Sequence, residues 1–215
     1  MKPIIFARIA EMKYYRGITN HDKPYGGGSY VSNTGMAHEC YNFAPVEDVV
    51  SSKKFCLGFA MASGTTGQIH IEKLNGCEAL KKEDRIEGAI VVFCATSPGS
   101  KTMRVVGFYK NATIYRNLQE IEFNTTMEDE IYCQNFSFMA EKKDCVLLPY
   151  TERHSNSKWY VPANGKRGAS FGFGRSNIWM ASNALNNPKL KTYVEHMIDS
   201  IERYDGENWM DKEVM

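Results

Sequence analysis

Hydrophobic residues in the first 150 positions occur in short runs separated by turn-forming Gly, Asn, Ser or Pro. The runs are rich in Val, Ile, Phe and Tyr, which is typical of β-strands. The run at residues 89–95 is apolar throughout, which predicts a central strand buried on both faces. The predicted strands cover residues 4–12, 55–61, 68–74, 89–95, 103–109, 113–116, 131–139 and 145–148.

The segment 103–116 has the pattern of two strands joined at Lys110 and Asn111. Asn tolerates the left-handed backbone conformation of tight turns, so the pattern predicts a hairpin there. Gly107 interrupts the first strand and predicts a β-bulge or a close approach of another chain segment. Both are common where a sheet curls.

A helix is predicted near the end of the chain. Asn187 is a suitable N-cap and Pro188 suits the first turn. A single apolar stripe follows at helical spacing and consists of Leu190, Tyr193, Val194, Met197, Ile198 and Ile201. The polar segment 205–215 is expected to be a linker or a frayed end. Together the patterns predict one α+β domain at residues 1–204, with a curved mixed or antiparallel sheet.

The net charge of +1 lacks the strongly basic balance of a nonspecific nucleic-acid binder. The distribution is uneven, because residues 153–191 contain seven Lys or Arg and no Asp or Glu. This stretch is either a binding surface or a solvated loop paired with acids elsewhere. The six cysteines include no Cys-x-x-Cys pair and several lie in apolar runs, which predicts reduced core thiols and a cytoplasmic protein without a membrane span.

Three catalytic patterns fail on their context. Residues 168–172 match G-x-S-x-G around Ser170, but no apolar strand precedes them as a nucleophile elbow requires. Residues 99–102 follow an apolar strand but lack the spacing of a phosphate-binding loop. His38 and Cys40 have no partners at metal-ligand spacing. We therefore expect no metal, no cofactor and no catalysis by this chain alone.

Aromatic residues accompany a glycine-rich segment near residues 26–28 and recur in the acid-free basic stretch. Flat rings for base stacking and cations for phosphates are the two requirements of nucleic-acid binding. The alternative is that most of these rings fill the core.

Three segments carry a resemblance to a known family. They cover residues 8–17 with 27–30 and 38–43, then 106–116, and finally 159–162 with 172–179. They resemble prokaryotic domains that can precede an HNH nuclease module, as in modification-dependent restriction enzymes. The strand containing Gly107 also resembles a strand of PUA-like domains, which include the EVE, YTH and SRA readers. The chain has Glu11 and Phe108 where the family often has Trp.

The resemblance implies a PUA-like barrel with peripheral helices that reads a modified base in DNA, with RNA as an alternative and a separate nuclease as a partner. A base extruded from the duplex would be held by stacking and by hydrogen bonds to its edge. The expected base-binding residues are Tyr14, Tyr15, Tyr30, Asn42, Phe43, Trp159, Ser176, Asn177 and Trp179. The expected phosphate-binding residues are Lys13, Arg16, Lys110, Arg116, Lys166, Arg167 and Arg175. A hydrolase using Ser170, a nuclease with an unrecognised site and a protein-docking subunit remain open alternatives.

Overall fold

The computed structural model describes residues 1–26, 37–48, 50–62, 67–124, 131–165 and 169–212. Its main element is a nine-stranded sheet in the order β2-β3-β6-β5-β4-β1-β9, with β7 and β8 also pairing with β5. The strands are β1 Ile4–Arg8, β2 Val46–Glu47, β3 Lys54–Gly58, β4 Arg85–Thr96, β5 Met103–Asn124, β6 Ile131–Glu141, β7 Cys145–Leu147, β8 Tyr160–Val161 and β9 Ile178–Trp179.

The sheet is mixed, since β1 and β4 run parallel while the other paired strands are antiparallel. The α+β class and the central position of residues 89–95 are therefore confirmed. Within the described ranges no ladder joins β2 to β9, so the sheet is not closed into the expected barrel.

The hairpin predicted at Lys110 and Asn111 is wrong. A single strand, β5, runs through both residues. Its first half pairs with β4 and its second half pairs with β6. Asn111 does adopt a left-handed conformation, with φ of 48°, and its side chain donates to Asp144 Oδ1 at 3.1 Å. The residue thus bends one long strand where the sequence pattern indicated a reversal.

Gly107 lies next to a β-bulge, and another segment of the chain packs closely against it, as predicted. The pairing moves from Phe93 with Gly107 to Cys94 with Val105, which leaves one extra residue on β5. An ideal Cβ at Gly107 would lie 2.5 Å from Phe43 Cζ. Only glycine fits at this position without displacing Phe43.

The strand predicted at 68–74 is also wrong, because Ile71–Lys73 forms a 3₁₀ turn. Ile69 and Ile71 are nevertheless buried and His70 is exposed. The alternation of apolar and polar residues therefore predicted the buried side chains correctly but the backbone conformation incorrectly. The predicted strands at 103–109 and 113–116 both lie within β5. Those at 4–12, 55–61, 89–95, 131–139 and 145–148 coincide with β1, β3, β4, β6 and β7, with their ends shifted by at most four residues.

Within the described ranges two α-helices accompany the sheet, α1 at Tyr150–Ser155 and α2 at Pro188–Glu202. The predicted cap of α2 is confirmed, because the Asn187 side chain accepts a hydrogen bond from Leu190 N at 3.1 Å. The helix buries Leu190, Val194, Met197 and Ile201. These residues pack on the sheet face that carries Ile4, Phe6, Ile90 and Val92.

The opposite face of β1 and β4 carries Ile5, Ala7, Val91 and Phe93, which belong to a second and larger apolar cluster. Successive strand residues point to opposite faces, so a strand covered on both sides is apolar throughout. This explains the uninterrupted apolar run at residues 89–95.

The C-terminal segment is docked, contrary to the expectation of a frayed end. Trp209 and Met210 are buried, and Trp209 stacks on Tyr14 at 5.6 Å between ring centroids. The Asn208 side chain accepts from Leu147 N at 3.0 Å and donates to the Cys145 carbonyl at 2.9 Å. Residues 208–210 therefore belong to the fold.

A buried ion pair joins the N-terminal segment to α1. The guanidinium of Arg153 is inaccessible to solvent and donates to Glu11 Oε1 at 3.0 Å. It also donates to the carbonyls of Leu148, Met12 and Lys13 at 2.7–3.0 Å. Arg153 thus satisfies three backbone acceptors and one carboxylate in the interior.

All six cysteines are free thiols, and five of them are buried as expected. Cys133 is the exception, since it lies exposed on β6. In the ranges that the structure describes, no helix has the length and apolarity needed to span a membrane.

Candidate functional site

A cavity lies at the carboxyl ends of the parallel strands β1 and β4. It has a volume of about 750 Å³ and is bordered by Arg8, the last residue of β1, and Thr96, the last residue of β4. Such strand ends are the usual ligand position in open sheets with parallel strands. Its volume falls within the range of about 300–1,000 Å³ that is typical of small-ligand sites.

Among the residues that the structure describes, three cations and no acidic residue line the cavity. Arg8, Lys101 and Arg175 contribute to its wall, together with polar and apolar groups that include Thr102, Tyr160, Asn164 and Phe173. None of the three cations forms an ion pair with any residue that the structure describes. Converging unpaired cations create a positive potential that attracts anions. We call this site the basic cavity.

Arg8 is the most constrained of these cations. Its Nη2 donates to the Gly174 carbonyl at 3.1 Å, and its guanidinium carbon lies 4.8 Å from the centroid of the Phe173 ring. Its Nε is buried and has no hydrogen-bond partner among the described residues. Burial lowers the pKa of Arg8, and the electrostatic effect of Cys94 opposes this shift. Arginine remains protonated at neutral pH, so a partly dehydrated cation faces the cavity.

The position of Arg8 is set by pairing on both sides of β1. It pairs with Cys94 of β4, and its backbone N–H donates to the Asn177 carbonyl at 2.7 Å. On the other wall, Phe173 N donates to the Pro162 carbonyl at 3.0 Å. These backbone contacts fix the Arg8 and Phe173 side chains relative to each other.

Gly172 permits this close packing of the loop that carries Phe173. Its φ of 121° lies in the left-handed region, and an ideal Cβ would lie 2.1 Å from the Pro162 carbonyl oxygen. Any side chain at this position would force the two segments of the cavity wall apart.

An aromatic cluster supports the cavity wall from behind. Trp179 is half-buried, stacks on Phe6 at 4.5 Å between centroids and lies 5.9 Å from Phe173. Phe171 and Tyr193 complete the cluster. Trp179 therefore lies beside the basic cavity, as a support of its wall more than as a free stacking surface.

The other predicted stacking rings in the described ranges lie in the core. Tyr15, Phe43 and Trp159 have no exposed surface, and Tyr14 is 8% exposed beneath Trp209. A base needs one free ring face, so these four residues are reassigned from base binding to packing. The interpretation that these rings fill the core, which the sequence left open, applies to them.

Asn42 is likewise structural. Its amide donates to the Phe59 carbonyl at 2.9 Å and accepts from Phe59 N at 2.9 Å, which uses both of its polar atoms. Tyr30 lies outside the described residues.

Ser176 and Asn177 lie in the same loop as Arg175, next to the basic cavity. The Ser176 hydroxyl accepts from Ile178 N at 3.0 Å, and Asn177 receives the backbone hydrogen bond from Arg8. Neither contributes to the cavity wall as Arg175 does. Both residues therefore lie close to the site, where their hydrogen bonds hold the loop of Arg175 in place.

Of the predicted phosphate-binding residues, Arg175 lines the basic cavity. Arg16 and Arg116 do not line the cavity and donate to protein acceptors elsewhere, although the buried Nε of Arg16 has no partner among the described residues. Arg16 donates to the Trp209 and Met210 carbonyls. Arg116 pairs with Glu72 Oε2 at 2.7 Å and donates to two further carbonyls.

Lys13 and Lys110 do not line the cavity. Lys13 is exposed and lies 4.9 Å over the Tyr14 ring. Lys110 is half-buried in the middle of β5. Lys166 and Arg167 lie outside the described residues.

Two cations of the site, Arg8 and Lys101, are absent from the sequence-based set. Arg8 is the first charged residue after the buried run 4–7, which is the signal for a side chain at a strand end. Lys101 follows a turn in which Ser100 N donates to the Ser97 carbonyl at 3.0 Å. The turn at residues 97–100 thus precedes β5, and Lys101 directly after it contributes a cation to the cavity wall.

The serine-hydrolase pattern has no elbow in the structure. Ser170 lies in a bend of the connection between β8 and β9, and the described residues 171–177 that follow it form no helix. Within the described residues, one group has metal-ligand proximity: Glu120, Glu122 and Cys133 at the exposed β5–β6 ladder, with ligand atoms within 4.8 Å of one another. Exposed acidic groups are common without an ion, so the expectation of no metal stays a prediction.

Comparisons with protein-family models, curated proteins and solved structures found no match to this chain, so its function is argued from the geometry of the basic cavity.

Proposed function

We propose that this protein binds nucleic acid and holds a phosphate of a DNA chain in the basic cavity. The observation that carries the proposal is the convergence of Arg8, Lys101 and Arg175 in a cavity of about 750 Å³ whose described lining contains no acidic residue. The paired N–H donors of a guanidinium group match the oxygen geometry of phosphate.

The cavity also offers groups for the rest of a nucleotide. Tyr160 provides a half-buried ring, and the exposed Asn164 provides an amide with both donor and acceptor atoms. A base needs a flat face and edge-directed hydrogen bonds. We propose that the protein acts as a specificity module that reads a modified base there, as the resemblance to PUA-like readers of restriction systems implies.

The test is binding of labelled DNA by fluorescence anisotropy at about 50–200 mM KCl. We expect Lys101→Gln and Arg175→Gln each to weaken binding about tenfold, because one charge-assisted hydrogen bond contributes about 1.5 kcal/mol or more. Each variant should also reduce the salt slope by about 0.7–0.9, the value for one lost phosphate contact.

Lys82→Gln is the matched control, since it removes the same charge near the opposite end of β4, roughly 35 Å away along the strand. Unchanged binding in both cavity variants would refute the proposal. Two further arms identify the source of the phosphate and the base. If free nucleotide competes as well as DNA, the ligand of the cavity is a small molecule and not nucleic acid. If methylated and unmodified DNA bind with equal affinity, the protein does not read a modified base.

A further inference from the structure

A second cavity adjoins the basic cavity and shares Tyr160 with it. This neighbouring cavity has a volume of about 350 Å³ and lies between β8 and α2, where His196 and Lys158 contribute to its wall. Because Tyr160 lines both cavities, it lies at the boundary between them. The arrangement has the form of two successive subsites.

The Tyr160 ring is carried by a fixed backbone. β8 pairs with β5 through Tyr160 and Arg104, and the Tyr160 carbonyl accepts from Tyr193 Oη at 3.1 Å. A ring held on a paired strand loses little additional freedom when a base stacks on it. His196 projects from α2 as an exposed ring beside Met197, which is buried.

A third cavity of about 490 Å³ follows and shares Lys158, Asp199 and Ser200 with the neighbouring cavity. This acidic cavity contains Glu152, Asp199, Asp205 and Glu207 against the cations Lys158 and Arg203. Charge therefore changes from purely positive to net negative along the three cavities. A phosphodiester chain is attracted at the first and repelled at the third.

We infer, on the basis of the proposed function, that the DNA is bound as a single strand across Tyr160. One phosphate lies in the basic cavity, and the base of the adjoining nucleotide lies in the neighbouring cavity between Tyr160 and His196. The strand leaves before the acidic cavity, so the site covers about two nucleotides. Bases in a duplex are stacked and paired inside the helix, and a base enters such a cavity only from a single strand or after extrusion.

The first experiment measures how affinity depends on oligonucleotide length. The 5′-phosphorylated oligothymidylates pdT, pdT2, pdT3, pdT4 and pdT6 compete with a labelled hexamer for the full chain. One base–aromatic stack predicts an increase of about tenfold between pdT and pdT2, followed by a plateau. A duplex carrying the same sequence should compete at least about tenfold less well than the single strand.

The second experiment removes the rings. Tyr160→Leu and His196→Ala should each abolish most of the step between pdT and pdT2, whereas Tyr160→Phe should keep it. Tyr25→Leu and His21→Ala are matched controls, because both residues are exposed in the N-terminal loop. His196 is a surface residue, so its variant keeps the test valid if the Tyr160 variant is unstable.

The failure of this inference differs from the failure of the proposed function. The single-strand path is wrong if pdT and pdT3 bind with equal affinity, or if both ring variants keep the affinity increase between pdT and pdT2. In either case Lys101→Gln and Arg175→Gln would still weaken DNA binding. Loss of those cation effects overturns the proposed function itself.

Discussion

Replacing Arg153 by Met removes the central hydrogen-bond donor of the interior. The methionine side chain has a similar length but donates no hydrogen bonds. Four bonds are lost, and the carboxylate of Glu11, which is 3% exposed, is left without its cation. Breaking one partner of a buried pair costs about 3–5 kcal/mol, because the other charge stays desolvated. We expect the free energy of unfolding to fall by this amount.

That loss is a large part of the total stability, since domains unfold with about 5–15 kcal/mol. Urea unfolding followed by tryptophan fluorescence and circular dichroism measures it. Arg203→Met is the control, because Arg203 pairs with Asp199 on the surface of α2. The control should change stability by no more than about 0.5 kcal/mol.

The pH dependence tests the assigned cause. Burial raises the pKa of Glu11, and the nearby Arg153 opposes this shift. Without Arg153 the folded-state pKa rises further. A carboxyl with a raised folded pKa stabilises the fold when protonated, and this contribution is lost as pH rises through that pKa. The deficit of Arg153→Met should therefore shrink between about pH 7.5 and about pH 5. A deficit below about 1 kcal/mol, or one that grows on acidification, would refute the reasoning.

Two further predictions concern packing and thiol chemistry. Gly107→Ala should lower stability by about 1–3 kcal/mol, because the added Cβ meets the Phe43 ring at 2.5 Å; a urea midpoint equal to that of wild type would contradict the close approach. Cys133 should be the single thiol that reacts rapidly with Ellman's reagent in the native protein, since the other five cysteines are buried. Partial desolvation, Glu120 and Glu122 raise its pKa, so replacing both glutamates by Gln should accelerate the reaction near pH 8; an unchanged rate would contradict this cause.

The elements were predictable where local pattern and tertiary packing agree. The apolar run at 89–95 and the stripe of α2 both follow from burial, and Asn187 and Pro188 mark the helix start. Asn111 shows the limit of this approach. The same left-handed residue serves a tight turn or a bend in a long strand, and only the pairing with β4 and β6 distinguishes them.

The candidate site was less predictable, because its residues meet through long-range pairing. Arg8 joins Arg175 only because β1 pairs with β4 on one side and with β9 on the other. Arg8 was missed by the sequence analysis, whereas Tyr15 was assigned to the site although its ring lies in the core. Its backbone φ of 52° accompanies an inward side chain whose hydroxyl donates to the Ala10 carbonyl at 2.7 Å. Composition around Tyr15 indicated an aromatic surface, whereas its local backbone places the ring in the core.

The position of β1 between β4 and β9 has a consequence for synthesis on the ribosome. Arg8 emerges before Arg175 and β9, which follow it by on the order of ten seconds or more at ordinary elongation rates. During that interval one edge of β1 has no partner, since its β9 neighbour does not yet exist. The nascent chain therefore carries an open strand edge for that time, and Arg8 and Arg175 come together only after β9 has been made.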